Sequence, residues 1–294
     1  MNIKQLDNYS EEKIRALFGM TRAAWAALFA QVLPELMRRR RAAQALQSNR
    51  QRAPGGGRVR QLRPYQEVLL TLLYLRHNVA HAVVGERFGV SADTSENTFH
   101  EVLFVLREVC PSERWEAEKR WQKSQPNWTP DRVDRARIDS FESPVRRPSR
   151  NERQRRVYSG KKKRHTLKTQ VVTDARGEIL GIDAGHRGPA ADKKIYEQSG
   201  VARQYPKATQ QGDLGYQGAT GVEVPHKQPK GGQRTEAEKA ENRQKASVRV
   251  HVEHGIRRIK GWRIVRDDYR LALGLFPLIA TTVVGRVQMV RIIS

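Results

Sequence analysis

Residues 165–184 read HTLKTQVVTDARGEILGIDA, and this stretch decides the fold of the second half of the chain. Two segments of strand-like pattern, His165–Asp174 and Glu178–Ala184, flank the turn residues Ala175, Arg176 and Gly177, which predicts two paired strands. Upstream, Ala136–Phe141 reads as an earlier strand. Downstream, Ala191–Ser199 reads as a short helix, Thr209–Asp213 as a fourth strand and Val222–His226 as a fifth. Thr235 then opens a long helix, with Glu238 three residues on in the capping-box position. The order β-β-β-α-β-(β)-α is that of an α/β domain with a mixed sheet flanked by helices.

Toward the N-terminus the period changes to a helical one. Ser10, Glu11 and Glu12 form a helix start, and Ile14, Leu17, Phe18, Trp25, Leu28, Phe29, Val32 and Leu36 recur at helical spacing. From Arg38 to Arg63 there are nine arginines and no acid, with Pro54 and three glycines among them, which reads as a flexible cationic linker. Helices over Tyr65–Arg76, His81–Phe88 and Ala92–Val109 follow, with Gly89 for a tight turn and Ser91 as cap. That is helix-turn-helix spacing, and Thr94, Ser95, Asn97, Thr98 and His100 are its candidates to face a DNA groove. An ordinary three-helix packing unit has the same pattern. Trp115, Trp121, Pro126, Trp128 and Pro130 mark a composition shift. The expected division is N-terminal helices and basic linker over 1–61, the helix-turn-helix over 62–125 and the α/β domain over 126–294.

Lysine and arginine number 55 against 31 acids, a formal net charge of +24. No acidic small-molecule site calls for so much charge, whereas a polyanion does, since each phosphate neutralised releases condensed counterions. Double-stranded DNA is the expected partner. The lone Cys110 excludes a disulfide framework and a cysteine-rich zinc module. The chain starts without a signal peptide, and its most apolar stretch, Leu271–Gly285, reads as a core helix interrupted near Pro277 and too short for a bilayer. A cytoplasmic protein is expected, and the arginine runs do not form the single amphipathic helix of a membrane-surface protein.

Three carboxylates stand where strands and a helix converge them: Asp139 in the first strand, Asp213 closing the fourth, Glu253 in the long helix. Hard Mg²⁺ takes oxygen ligands and needs few carboxylates besides substrate phosphates, and two such ions would serve the attacking and leaving oxygens. Each acid also has a plainer reading. Glu253 sits four residues from both Arg249 and Arg257, the spacing of surface ion pairs, and Asp213 and Asp139 suit turn and loop positions. Asp192 is a fourth candidate, placed at a helix start. Residues 146–168 hold eleven basic side chains and one acid, Glu152. They read as a charge-protected hairpin edge or as a phosphate-holding surface, with Lys161, Lys163, Lys168 and Lys227 as candidate contacts.

The motif Ile138-Asp139-Ser140-Phe141-Glu142-Ser143-Pro144-Val145, with Arg147-Pro148 after it, resembles the DDE transposases of bacterial insertion sequences, near the insertion-sequence-five group and the Harbinger-like endonucleases. Tyr158 to Lys168, Gly212-Asp213-Leu214-Gly215-Tyr216-Gln217-Gly218 and Asn242-Arg243 with Arg249 to His254 and Ile259-Lys260 are similar to further motifs of that family, in the same order. The loop Gly188-Pro189-Ala190-Ala191 departs from the family's pattern before Asp192. The resemblance implies an RNase H-like catalytic domain behind a helix-turn-helix, with Asp139, Asp213 and Glu253 as catalytic metal ligands for two Mg²⁺ ions and Mn²⁺ as substitute. It implies cleavage and strand transfer at terminal inverted repeats, a homodimer on DNA, DNA contacts that include Arg249 and Lys260, and a nucleoid-associated bacterial protein. A catalytically inactive DNA-binding regulator derived from a transposase is the alternative. An RNA–DNA hybrid nuclease has no need of a separate sequence reader.

Overall fold

The computed structural model describes residues 8–46, 59–121, 129–200 and 202–293, with 202 and 247–249 described by their backbone alone. Pro54 to Gly57, Pro126 and Trp128 lie outside the described residues. The chain forms two compact units: Met1–Cys110 with Trp262–Ile264 and Met289–Ser294, and Pro111–Gly261 with Val265–Gln288.

In the first unit, α1 (Glu11–Phe18) is capped by the Ser10 hydroxyl and α2 (Arg22–Ala45) by that of Thr21. Helix α2 buries Ala24, Leu28, Val32 and Leu36, one every four residues, as a single stripe. It also runs through Arg38 to Arg41, which corrects the reading of that segment as linker. The run has no acid nearby in sequence, but the fold supplies them. Arg40 donates to Glu67 and to Glu101 at 2.7 Å each, and Arg60 joins both acids at 3.1 and 2.8 Å.

Helices α3 (Pro64–His77), α4 (His81–Phe88) and α5 (Ala92–Val109) form the expected helix-turn-helix. Gly89 turns the chain at φ 71°, and Ser91 Oγ accepts from the Thr94 amide at 3.1 Å. A Cβ at Gly85 would lie 2.5 Å from the Val90 carbonyl oxygen, so the tight turn needs a glycine there. On α5, Phe99, Val102, Leu103 and Leu106 face the core, and Ser95 and Thr98 share that stripe. Ser95 is buried, with its hydroxyl 3.1 Å from His81 Nδ1, and Thr98 is 5% exposed. Neither can face a groove, because the helical period carries both to the α3–α4 side. Thr94 is half-buried and Asn97 exposed.

The second unit begins with α6 (Arg114–Trp121), whose Arg114 pairs with Glu178 of the sheet region at 3.4 Å. The division between units therefore falls at Cys110–Pro111, where the composition places it near residue 125. Strands β1 (Arg135–Pro144), β3 (Arg164–Thr173) and β4 (Ile179–Arg187) pair antiparallel, while β5 (Thr209–Gln211) runs parallel to β1 and β6 (Val222–Glu223) parallel to β5. Between β1 and β3 lie α7 (Asn151–Val157) and the two-residue β2 (Tyr158–Ser159), so the basic stretch is a helix and a short pairing instead of a plain hairpin. Helix α8 (Asp192–Gln198) follows β4. Helix α9 (Glu236–Lys260) starts with the expected Thr235–Glu238 capping box and packs on β3 and β1 through Val252, Ile256 and Ile259.

Helix α10 (Phe276–Ile293) begins at Pro277's own turn. The proline starts the helix and does not interrupt it, since a first-turn residue needs no amide donor. Leu273–Ile293 is also long and apolar enough to cross a membrane, contrary to the reading from length, though 61% of its most apolar window is buried within the fold. Arg286 and Gln288 are buried with it, and Gln288 Nε2 donates to the Ser112 carbonyl.

Candidate active site

Parallel pairing of β1 with β5 sets Arg135 against Thr209, Ala136 against Gln210 and Arg137 against Gln211. Carried two residues further, that register brings Asp139 level with Asp213. Both acids line one cavity of about 250 Å³, together with Arg137, Gln211, Glu223 and residues of α9. Asp139 Oδ1 accepts from the Ser140 amide at 2.7 Å. Asp213 lies past the end of β5 and caps a short turn at Leu214–Tyr216, its Oδ1 accepting from the Gly215 amide at 2.8 Å. The turn-shaping role and the place beside Asp139 are therefore both present in one residue.

Asp192 joins them. A Cβ at Gly215 would stand 2.9 Å from Asp192 Oδ2 and 2.9 Å from Asp213 Oδ1, so glycine leaves room for two carboxylates to approach the same point. Ser140 Oγ donates to Asp192 Oδ1 at 2.5 Å, and Lys168 Nζ donates to the same oxygen at 3.1 Å and to the Ala190 carbonyl at 2.6 Å. Behind these acids lies the buried Tyr216 hydroxyl, which accepts from Gln170 at 3.3 Å. Burial holds its pKa far above the ordinary phenol value, and the charges of Asp192, Asp139 and Asp213 add to the shift.

Glu253 is exposed on α9. It stands seven residues, close to two helical turns, from Ala246, which lines the cavity, and from Lys260, on which the Asp139 charge acts. Glu253 thus shares their face of the helix. Among the described residues, no group of three or more Asp, Glu, His or Cys stands close enough to hold a metal ion.

The candidate DNA contacts divide. Lys161, Lys163 and Lys227 are exposed. Lys260 is half-buried, 5.1 Å over the Phe141 ring; burial and the Lys162 charge push its pKa down, against Asp139 and Glu142. Lys168 is buried and bonded to Asp192 and Ala190, so it cannot meet a phosphate, which corrects that assignment: its position on β3 turns it inward. Arg249 lies on α9, and its side chain is outside the described residues. Sequence reasoning assigned no role to Arg137, Tyr216 or Asn242. Strand alternation from Asp139 marks Arg137, and Tyr216 and Asn242 lie inside motifs already quoted.

The donor set suits a hard divalent cation. Asp139 and Asp213 offer oxygen ligands only, and Asp192 adds a third like charge that Lys168 alone offsets by a direct contact shown here.

Residues 138–286 match the family described as DDE superfamily endonuclease, and residues 60–112 match the helix-turn-helix of DDE superfamily endonuclease. A protein of Microchaete diplosiphon named as a transposase for insertion sequence element IS702 is 29% identical over 74% of this chain and 78% of its own. One of Streptomyces albus G, named as a transposase for insertion sequence element IS112, is 29% identical over 74% of this chain and 78% of its own. No solved structure matches the chain significantly.

Proposed function

This chain belongs to the DDE superfamily endonucleases, and from that premise we propose that it is the transposase of a bacterial insertion sequence, cutting DNA at the element's terminal inverted repeats and joining the freed 3′ hydroxyl to target DNA. The observation that carries the reading is the β1–β5 register, which brings Asp139 and Asp213 level on one cavity. The strand order also supports an RNase H-like fold.

DDE endonucleases depend on divalent metal. Here Asp139 and Asp213 would hold it with Glu253 from α9, as two Mg²⁺ ions replaceable by Mn²⁺. Bound metal supplies Lewis-acid stabilisation of charge on the phosphate oxygens. The chain's own residues orient the acids: the Ser140 amide fixes one Asp139 oxygen and the Gly215 amide one Asp213 oxygen. Lys168 and Ser140 hold Asp192 beside them, a positioning role. Lys161, Lys163, Lys227, Arg249 and Lys260 contact backbone phosphates, while Thr94 and Asn97 at the start of α5 reach base edges. Two ends and one acid set per chain call for a homodimer on DNA, working at the nucleoid in the cytoplasm.

The test is purified protein with duplexes of the DNA flanking its gene and Mg²⁺, read for end-specific nicks. Nicks that survive in both Asp139→Asn and Glu253→Gln, or no nicks at all, would refute it.

A further inference from the structure

Strand alternation puts Arg137 and Gln211 on the face of Asp139 and Asp213, two residues back along β1 and β5. All four line the 250 Å³ cavity, with Pro225, Ala246 and Val252 as apolar wall. Two buried donors there have no acceptor. Arg137 is 6% exposed and donates through Nη1 to the Ala175 carbonyl at 2.6 Å, yet its Nε has no partner among the described residues. Arg234, on the same cavity, has a buried Nε in the same condition. An unmet buried donor costs about 1–3 kcal/mol, so the pair favours a ligand that brings acceptors.

Charge decides which acceptors. Arg137, Arg234 and Lys245 face Asp139, Asp213 and Glu223 around the same space, three cations against three anions. A phosphate gains little from such a balance. A neutral flat ring with apolar faces and carbonyl or ring-nitrogen edges fits wall and donors together. We propose that the cavity receives one nucleobase of the substrate strand, extruded beside the cleaved phosphate, with the Nε groups of Arg137 and Arg234 donating to its edge. Extrusion costs a few kcal/mol of stacking, and a receptacle adjoining the reacting phosphate offsets it. This inference rests on the reading of Asp139 and Asp213 as the cleavage centre.

The test is equilibrium dialysis of the full chain with the four deoxynucleoside monophosphates, and with 2-deoxyribose 5-phosphate as the probe without a base. At least one nucleotide should bind at about 1 mM or tighter, and about tenfold tighter than the sugar phosphate. Ala246→Trp, at an exposed helix position facing the cavity, and Arg234→Gln should each weaken nucleotide binding about tenfold, with folding checked by thermal melting. Equal binding of the sugar phosphate, no saturable nucleotide binding, or a folded variant of either kind that binds like the wild type overturns the proposal. Nucleotide binding that persists in a chain unable to nick DNA would retain the receptacle and refute the cleavage reading instead.

Discussion

The molecule gathers charge in two places to opposite ends. In the first unit, Arg40 and Arg60 meet Glu67 and Glu101, two of each sign. Glu67 is 1% exposed, and burial raises the Glu101 carboxyl less than the Arg40 and Arg60 hydrogen bonds lower it. In the second unit, Asp139, Asp192 and Asp213 crowd the Tyr216 hydroxyl, where Lys168 makes a direct ion pair with Asp192. A paired knot holds a fold together. A cluster of one sign works against the fold and is tolerated where a cation or substrate completes it.

Substitutions should separate the two. Asp139→Asn or Asp213→Asn should lower DNA nicking at least about 1,000-fold, the loss of several kcal/mol of charge stabilisation, while end binding stays within about twofold. Neither should lower the melting temperature, since each relieves like-charge repulsion. A clear drop in melting temperature would make these acids structural. Glu67→Gln leaves Arg40 buried without its charge partner and should cost about 3–5 kcal/mol in urea unfolding. A cost under about 1 kcal/mol would reduce the knot to ordinary surface pairing.

Within the helix-turn-helix the contrast is sharper. Asn97→Ala should weaken end binding by about 1–3 kcal/mol and leave stability unchanged, whereas Ser95→Ala should lower stability through the lost His81 contact and leave base preference alone. Selection of bound sequences from randomised duplexes, beside thermal melts, would expose the reverse outcome.

The smallest effect is a pH dependence. Burial pushes the His77 imidazole below its ordinary value, against its bond to the Leu17 carbonyl at 2.9 Å. The unfolded chain then takes up a proton that the folded chain resists. Stability is complete above the ordinary histidine range and falls as pH drops through it. His77→Gln should lose less melting temperature than wild type between about pH 7.5 and about pH 5.5; equal losses would show that other groups carry the acid sensitivity.

Much of this was legible in one dimension. The α4 and α5 ranges, the Ser91 cap and the Thr235–Glu238 box are local patterns, written in caps, turns and periods within a few residues of each other. Motif order marked Asp139 and Asp213 for the same reason. The second strand-helix half was less complete: α7 lies in a basic run whose charge hid its period, and β5 stops at Gln211 because Asp213 turns the chain.

By itself, then, the sequence determined the elements, their order, the basic surplus and the identity of the leading acids, since these depend on neighbours in the chain. Only the tertiary structure decided which charges are already neutralised. Arg40 looks free beside three other arginines until Glu101, sixty-one residues away, reaches it. Lys168 looks available to DNA until the fold brings Asp192 against it, and Arg137 reads as one more basic residue until β1 turns it into a cavity. Coulomb energy and desolvation depend on distance in space and burial, and neither can be read from separation along the chain.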